Sequence, residues 1–163
     1  MIDCFLSLGS NMGDRYYNLQ SAVKEISINP KISILSKSPV YESPPLYNEN
    51  IDKFYNRVVR VGTILSPIEL LSYIKKIENK MGRIPSEARY SARPIDIDIL
   101  SYGNQVIESV ELKVPHPHIK DRKFVLVPWS DIDSEYVLPN YNKKIAELLD
   151  KTSDDSILNL VEE

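Results

Sequence analysis

The chain has 163 residues, which fits one domain with a substantial core but not two independent catalytic domains. Its 42% hydrophobic and 26% charged residues are typical of a soluble globular protein, and no apolar run approaches the ~20 residues that span a bilayer. A formal net charge of -3 argues against the strongly basic surface of a nucleic-acid-binding domain. We therefore expect one domain over residues 1–163 that binds small molecules, with no nucleic-acid or membrane partner.

The N-terminal segment turns polar after a few residues and lacks the basic start and long apolar stretch of a secretory signal. This favours a cytoplasmic location. Cys4 is the single cysteine, so it has no partner for an intrachain disulfide, and its apolar neighbours predict a small buried core residue. Nothing in the sequence demands an oligomer, and we expect a monomer.

The first third of the chain predicts two strands joined by a helix. The apolar run Ile2–Leu8 ends at Gly9 and indicates a largely buried first strand. A helix is predicted over about residues 14–28, ended by Pro30, which cannot continue it. The apolar positions that repeat on one face of this helix are Leu19, Ala22, Val23 and Ile26. A second strand is predicted from Ile32 through Tyr41.

A third strand and a second helix follow. The stretch Phe54–Ile64 is rich in β-branched and aromatic residues, which favour a strand. Ser66 and Glu69 then have the spacing of a capping box, with proline between them at the first helical position. The apolar stripe of this helix consists of Leu70, Ile74, Ile77 and Met81, and Gly82 fits its end.

The second half begins with a polar stretch, Arg83–Pro94, that has no periodicity and predicts a mobile loop. A strand over Asp96–Leu100 follows it. We expect a short hairpin around Gly103-Asn104 that returns through Val106-Ile107, and a further helix near Lys143–Leu149. The resulting order is β-α-β-β-α-β, which predicts an α+β fold: a ferredoxin-like sandwich of an antiparallel sheet with helices on one face, plus C-terminal additions.

Asp96 and Asp98 are the most informative pair for chemistry. Residues two apart on a strand share a face, so both carboxylates can bind one Mg²⁺ jointly or bridge two ions. An isolated pair of this kind can also be a solvated strand face. Arg83 and Arg93 precede the pair across the polar loop, and guanidinium groups beside a metal suit the transfer of a polyphosphate.

Other motifs are weaker. The turn Gly9-Ser10-Asn11 before a helix could place N–H groups near a ligand, but it lacks the spacing of a P-loop. His116 and His118 do not have the partners of a zinc site, and a neutral histidine beside a nucleotide or ordinary loop packing explains them better. Phe54 and Phe124 each stand beside polar or basic residues, and the sequence alone favours core positions for both. If both faced one pocket, they could sandwich a flat heteroaromatic ring whose edge Asn56 would bind.

The ordered set of these motifs resembles the 6-hydroxymethyl-7,8-dihydropterin pyrophosphokinase family over about residues 2–150. The segment Arg93-Pro94-Ile95-Asp96-Ile97-Asp98-Ile99 is the most specific part of the resemblance. The other matching segments are Leu8-Gly9-Ser10-Asn11, Tyr41-Glu42-Ser43-Pro44-Pro45-Leu46, Phe54-Tyr55-Asn56, Glu78 to Arg83, and Val114-Pro115-His116 through Arg122 and Phe124.

The resemblance implies a folate-biosynthesis enzyme that converts ATP and a hydroxymethyl pterin to AMP and the pterin diphosphate. It implies two Mg²⁺ ions held by Asp96 and Asp98, with Arg83 and Arg93 as further catalytic and phosphate-binding residues. The pterin would contact Ser43, Pro44, Pro45, Leu46, Phe54, Asn56 and Phe124. The nucleotide would contact Leu71, Glu78, Arg83, Arg93, Ile99, His116 and Arg122, and the Arg83–Pro94 loop would act as a lid that excludes water.

Several positions depart from the family pattern. In the lid, Pro85 replaces a common second arginine, Tyr90 a frequent tryptophan, and Ser91-Ala92 the usual Gly-Pro. Pro117 stands where an aromatic residue often follows the histidine, and Phe54 replaces a tyrosine. Activity should survive, because a phenylalanine keeps the stacking face. Two other function classes fit the sequence: a nucleotidyltransferase using the same metal pair, and a non-catalytic domain on the same scaffold.

Overall fold

A computed structural model describes residues 1–46, 50–82 and 92–162. The helices are α1 (Arg15–Ser27), α2 (Pro67–Lys80), α3 (Lys123–Asp133) and α4 (Ile145–Lys151). The strands are β1 (Ile2–Ser10), β2 (Ile32–Lys37), β3 (Tyr41–Ser43), β4 (Phe54–Thr63), β5 (Asp96–Tyr102), β6 (Ile107–Glu108), β7 (Lys113–Val114), β8 (Val137–Leu138), β9 (Lys143–Lys144) and β10 (Asn159–Leu160).

The two long strands β1 and β4 form the centre of the main sheet. The strand order is β10-β3-β4-β1-β5, β2 also pairs with β4, and every pairing is antiparallel. Helices α1 and α2 connect the strands along the chain. The prediction of an α+β fold with an antiparallel sheet is confirmed.

Local sequence signals set the ends of both connecting helices. The Asp14 carboxylate accepts the Tyr17 N–H at the start of α1. At α2, Ser66 and Glu69 form the predicted capping box through reciprocal hydrogen bonds of 3.0 and 3.2 Å. Gly82 follows α2 with a φ of 98°, a conformation that glycine adopts without a Cβ clash. These caps fix where α2 stops and the loop before β5 begins.

The prediction of one second strand from Ile32 through Tyr41 is wrong, because Ser38 divides this stretch into two strands, β2 and β3. The Ser38 Oγ accepts the Val58 N–H at 2.9 Å, and its carbonyl accepts two hydrogen bonds from the Arg57 guanidinium at 3.1 and 2.6 Å. Pro39 follows and has no N–H for a sheet ladder. The chain therefore pairs with β4 twice, first as β2 and then as β3.

The predicted hairpin after β5 is also wrong in its pairing. The chain does turn at Gly103, whose φ is 53°, but the returning strand β6 pairs with β7 and not with β5. The residue after the cis Val114–Pro115 peptide then contacts β5, because the His116 N–H donates to the Leu100 carbonyl at 3.0 Å. This contact brings the His116 segment beside the Asp96–Leu100 strand.

Apolar side chains form a core on each face of the sheet. On one face, α1 and α2 pack over alternate residues of the central strands, including Leu6, Val59 and Ile97. Cys4 belongs to this core, as predicted, and burial raises the pKa of its thiol to about 12. On the other face, α3 and α4 pack over Phe5.

Helices therefore cover both faces, and the expectation of helices on one face holds only for α1 and α2. Helix α3 was not predicted: its run Phe124–Trp129 is apolar on all sides and contains Pro128, so it lacks a clear helical period. Helix α4 matches the helix predicted near Lys143–Leu149. No helix in the described ranges is long and apolar enough to cross a membrane.

Candidate active site

A cleft of about 500 Å³ lies beside β5, and residues of both α2 and the start of α3 line it. Two aspartates of β5, the first residues of α3 and the loop after β3 all reach it. The predicted site residues that line it are Ser43, Pro44, Leu46, Phe54, Asn56, Leu71, Glu78, Arg93, Asp96, Asp98, Ile99, His116, Arg122 and Phe124. One fold feature thus gathers residues that lie up to 81 positions apart in the chain.

Two predicted residues are not in that set. Pro45 does not line the cleft, because the chain turns so that Pro44 and Leu46 face it instead. Arg83 lies outside the described residues, as do the departures at Pro85, Tyr90 and Ser91. Their assignments remain predictions.

The floor of the cleft is a row of residues across three strands. Gly9 of β1 lies opposite Asn56 of β4 on one side and opposite Asp96 of β5 on the other. Ser7 is likewise opposite Asp98. A Cβ atom on Gly9 would come within 3.1 Å of the Asn56 Oδ1 atom and 3.5 Å of the Phe54 ring. The missing side chain therefore leaves the space between the amide and the carboxylates open.

Asn56 is held in a fixed orientation. Its Nδ2 donates to the Ser43 Oγ at 2.6 Å, and both side chains are buried. One hydrogen of the Asn56 amide is thus bonded to Ser43 of β3. The second amide hydrogen and the amide oxygen stay available to a ligand in the cleft. Such an edge can exchange paired hydrogen bonds with a planar heterocycle. Phe54, two residues earlier on the same strand face, offers a ring surface beside it.

Arg93 and Asp96 form the charged part of the site. The Arg93 Nη1 lies 3.3 Å from the Asp96 Oδ1, and both side chains are largely shielded from solvent, with 14% and 29% exposed. Asp98 is half-buried on the same strand face as Asp96. A guanidinium beside two carboxylates can exchange partners when phosphate groups and metal ions enter.

Asn11 fixes the backbone that carries Arg93. The Asn11 Oδ1 accepts the Arg93 N–H at 2.7 Å, and the Asn11 N–H donates to the Arg93 carbonyl at 3.1 Å. The Asn11 Nδ2 also donates to the Asp52 carbonyl in the loop before β4. The sequence singled out the turn at Gly9-Ser10-Asn11, but not this role, because both partners are distant along the chain.

Glu78 is buried, and it contacts β5 directly. Its carboxylate accepts the N–H of Ile97, the residue between the two aspartates, at 2.9 Å. The prediction placed Glu78 beside a nucleotide. The observed bond shows that it also holds the strand that presents the aspartates.

His116 faces the cleft as a neutral imidazole. Burial, together with the charge of Arg122, lowers its pKa to about 4. The His116 Nδ1 accepts the His118 N–H at 3.2 Å, so the remaining hydrogen of the neutral ring is on Nε2. A neutral ring suits contact with an uncharged part of a ligand, as the sequence suggested.

The start of α3 supplies a further part of the cleft wall. Arg122 and Phe124 both line the cleft, with the guanidinium carbon 5.8 Å from the ring centroid. A flat ring and a cation thus come from neighbouring positions. Gly9 and His118, which the sequence offered only as weaker candidates, also line the cleft. The lining residues that the sequence did not predict are Ser7, Ile51, Ile74, Lys75, Ile97, Glu111, Leu112, Lys113 and Pro117.

The donor set suits magnesium when a polyphosphate supplies further ligands. Among the residues that the structure describes, no group of three or more His, Cys, Asp or Glu side chains forms a protein-only metal site. Mg²⁺ in phosphoryl-transfer sites is usually held by one or two carboxylates, substrate phosphates and water. Asp96 and Asp98 match that requirement.

The comparisons with known proteins agree with this chemistry. Residues 5–134 match the family model for 7,8-dihydro-6-hydroxymethylpterin-pyrophosphokinase (HPPK). The chain belongs to the HPPK family. The prediction from the sequence motifs, a pyrophosphokinase of folate biosynthesis, is thereby confirmed.

Two relatives of this HPPK chain match it over most of their own length. The 2-amino-4-hydroxy-6-hydroxymethyldihydropteridine pyrophosphokinase of Haemophilus influenzae is 36% identical over 98% of this chain and 99% of its own length. The enzyme of the same name from Bacillus subtilis is 38% identical over 78% of this chain and 76% of its own length.

Longer proteins match over a part of their length. The folic acid synthesis protein FOL1 of Dictyostelium discoideum is 42% identical over 83% of this chain, which spans 20% of that protein. A crystal structure of Plasmodium falciparum HPPK-DHPS A437G with STZ-DHP superimposes with a TM-score of 0.72 at 18% identity, over 92% of this chain and 45% of that one. At this identity the superposition supports the fold alone.

Proposed function

We propose that this cleft transfers a pyrophosphoryl group from ATP to 6-hydroxymethyl-7,8-dihydropterin, giving the pterin diphosphate and AMP. One observation carries the proposal most strongly. The aspartate pair of β5 faces the same cleft as the Phe54, Asn56 and Phe124 side chains. A metal-phosphate site and a site for a flat heterocycle therefore adjoin, as the transfer between two such substrates requires.

The pterin would occupy the region over Gly9. The rings of Phe54 and Phe124 would stack on its two faces, which favours a planar conjugated ligand over an aliphatic one. Asn56, fixed by Ser43, would hydrogen-bond to its edge, and Pro44 and Leu46 would complete the edge contact through the loop after β3. This orientation would direct the hydroxymethyl group toward β5.

ATP would occupy the other half of the cleft. Leu71, Ile99 and the neutral His116 ring would contact the nucleoside, and Arg122 would bind a phosphate. Asp96 and Asp98 would hold two Mg²⁺ ions together with the phosphate oxygens. Bound there, the ions would neutralise the polyphosphate charge and lower the pKa of the attacking hydroxyl.

The protein's own part in the reaction is alignment and charge. The pterin hydroxyl would attack the β-phosphorus in line, with AMP as the leaving group, and Asp96 would accept the hydroxyl proton. Arg93 would exchange its contact with Asp96 for the phosphates as charge shifts to the leaving oxygen. Arg83 would act with Arg93, and the segment between them would close over the site to exclude water.

The remaining expectations from the sequence belong with this proposal. We infer a ferredoxin-like topology, which the antiparallel order β2-β4-β1-β5 and the two connecting helices support. We also infer one domain over residues 1–163, a monomer and a cytoplasmic location.

The test is to incubate the protein with ATP, Mg²⁺ and 6-hydroxymethyl-7,8-dihydropterin and to quantify AMP and pterin diphosphate by chromatography. Equal amounts of both products are expected. Free pyrophosphate in place of a pyrophosphorylated pterin would indicate a nucleotidyltransferase. Pterin binding without AMP would indicate a non-catalytic domain and would overturn the proposal.

A further inference from the structure

The segment after α4 runs from the start of α3 to the edge of the main sheet. Within the described part of the chain, Arg122 makes no side-chain hydrogen bond to the first turn of α3. Asp154 does so from the following segment: its Oδ2 accepts the Lys123 N–H at 2.9 Å. A carboxylate at the first turn of a helix both binds a free N–H and complements the helix dipole.

Neighbouring contacts reinforce this attachment. The Lys123 Nζ donates to the Ser156 carbonyl at 3.0 Å, and the Thr152 Oγ1 donates to the Lys120 carbonyl at 2.7 Å. Burial alone would raise the pKa of Asp154. Hydrogen bonds from Ser156 and the Lys123 N–H, with the Lys123 charge, outweigh that effect and hold the pKa below its usual range. The carboxylate is therefore ionised where it meets the helix.

The same segment then joins β3. Strand β10 pairs antiparallel with β3, so that Asn159 lies opposite Glu42, and the Val161 N–H donates to the Val40 carbonyl at 2.9 Å. Strand β3 ends at Ser43, the residue that orients Asn56. One continuous segment, Thr152–Val161, thus connects the two walls of the cleft.

We propose that the Thr152–Val161 segment is a strap that sets the spacing between the Phe124 wall and the Ser43–Phe54 wall, with Asp154 as a positioning residue for substrate binding. The inference rests on the proposed pterin site. Asp154 contacts no substrate in this arrangement. It acts by fixing the backbone at Lys123, between Arg122 and Phe124, so both nucleotide and pterin contacts depend on it.

The test is Asp154→Ala in the full chain. We expect the Kd for 6-hydroxymethyl-7,8-dihydropterin, measured by pterin fluorescence with a non-hydrolysable ATP analogue and Mg²⁺, to rise by roughly five-fold, as the loss of a helix cap implies. Asp154→Asn should raise the Kd less than Asp154→Ala does, because its single amide oxygen can still accept the Lys123 N–H but cannot also accept the Ser156 N–H. Asp155→Ala is the matched control, since Asp155 is the exposed neighbouring carboxylate.

The outcomes separate clearly. A raised Kd in Asp154→Ala, partly recovered in Asp154→Asn, supports the strap. Unchanged pterin and nucleotide binding in Asp154→Ala, with the melting temperature alone lowered, would show a purely structural contact and overturn the inference while leaving the proposed function intact. If the unmodified protein bound no pterin, the proposed function itself would fail, and the strap with it.

Discussion

Asn11 and Arg93 exchange two hydrogen bonds, although 82 positions separate them in the chain. The Asn11 side chain is buried, and it supplies the acceptor for the Arg93 N–H. The arginine that contacts Asp96 is therefore held through its backbone as well as through its charge.

Asn11→Ala should lower kcat by about ten-fold, because Arg93 would lose the contact that fixes its position. It should also reduce the free energy of unfolding by about 1–3 kcal/mol, the cost of leaving buried hydrogen-bonding groups unpaired. Steady-state turnover and denaturant unfolding measure the two effects.

The matched control is Asn18→Ala. Asn18 donates to the Ser10 Oγ and the Met12 carbonyl nearby, but it does not contact Arg93. It should lower stability and leave kcat within about two-fold. An equal loss of kcat in both variants would contradict a specific role for the Asn11–Arg93 contact.

Gly9→Ala should impair pterin binding. The new methyl group would press against the Asn56 Oδ1 at 3.1 Å and fill the floor of the cleft. The Kd for the pterin should rise at least about ten-fold, an effect of about 1.4 kcal/mol, which equilibrium fluorescence titration measures. Gly62→Ala is the control, since its nearest neighbour is the flexible Met1 side chain at 3.4 Å. Normal pterin binding by Gly9→Ala would place the pterin elsewhere.

Asp98→Ala should reduce turnover by about 10³-fold or more, because one of the two proposed metal carboxylates is removed. The circular dichroism spectrum should not change. Asp150→Ala, at an exposed position of α4, should retain full turnover. Near-normal activity of Asp98→Ala at limiting Mg²⁺ would refute the assignment of the metal site.

His116 makes stability depend on pH in a defined range. Its pKa is about 4 in the folded chain against 6.5 for the free side chain, so the unfolded chain binds a proton first as the pH falls. This contribution to stability is complete above pH 6.5 and is lost progressively down to about pH 4. The loss amounts to roughly 3 kcal/mol.

Urea unfolding of the metal-free protein from pH 7.5 to 4 measures this contribution. His116→Gln should reduce the pH dependence of the unfolding free energy in that interval. His118→Gln, at an exposed position, should retain most of that pH dependence. A histidine NMR titration with a midpoint near 6.5 assigned to His116 would contradict the prediction.

The features that the sequence predicted well depend on neighbours a few residues apart. The capping box at Ser66 and Glu69, the end of α2 at Gly82 and the aspartate face of β5 all follow from local spacing. The motif set also predicted 14 of the side chains that line the cleft, because the family resemblance carries information that periodicity lacks.

Most of the features that the sequence did not predict depend on partners that are distant along the chain. The break at Ser38 exists because Arg57 and Val58 of β4 bind it. Helix α3 lacks a clear period because its first half is the unbroken apolar run Phe124–Trp129, and its polar residues Ser130, Asp131 and Asp133 follow only after that run. The bond from Asp154 to the start of α3 spans 31 residues and has no local signal.

The bond between Glu78 and Ile97 also bears on how copies of the chain behave toward one another. In the described part of the chain, β5 pairs with β1 alone, so its outer side is a sheet edge. Exposed edges invite strand addition and aggregation. Here the Glu78 carboxylate accepts a hydrogen bond from the Ile97 N–H, and the His116 N–H donates one to the Leu100 carbonyl. Two of the edge groups of the strand that bears the aspartates are therefore already paired within the chain, which disfavours the addition of an incoming strand at this edge.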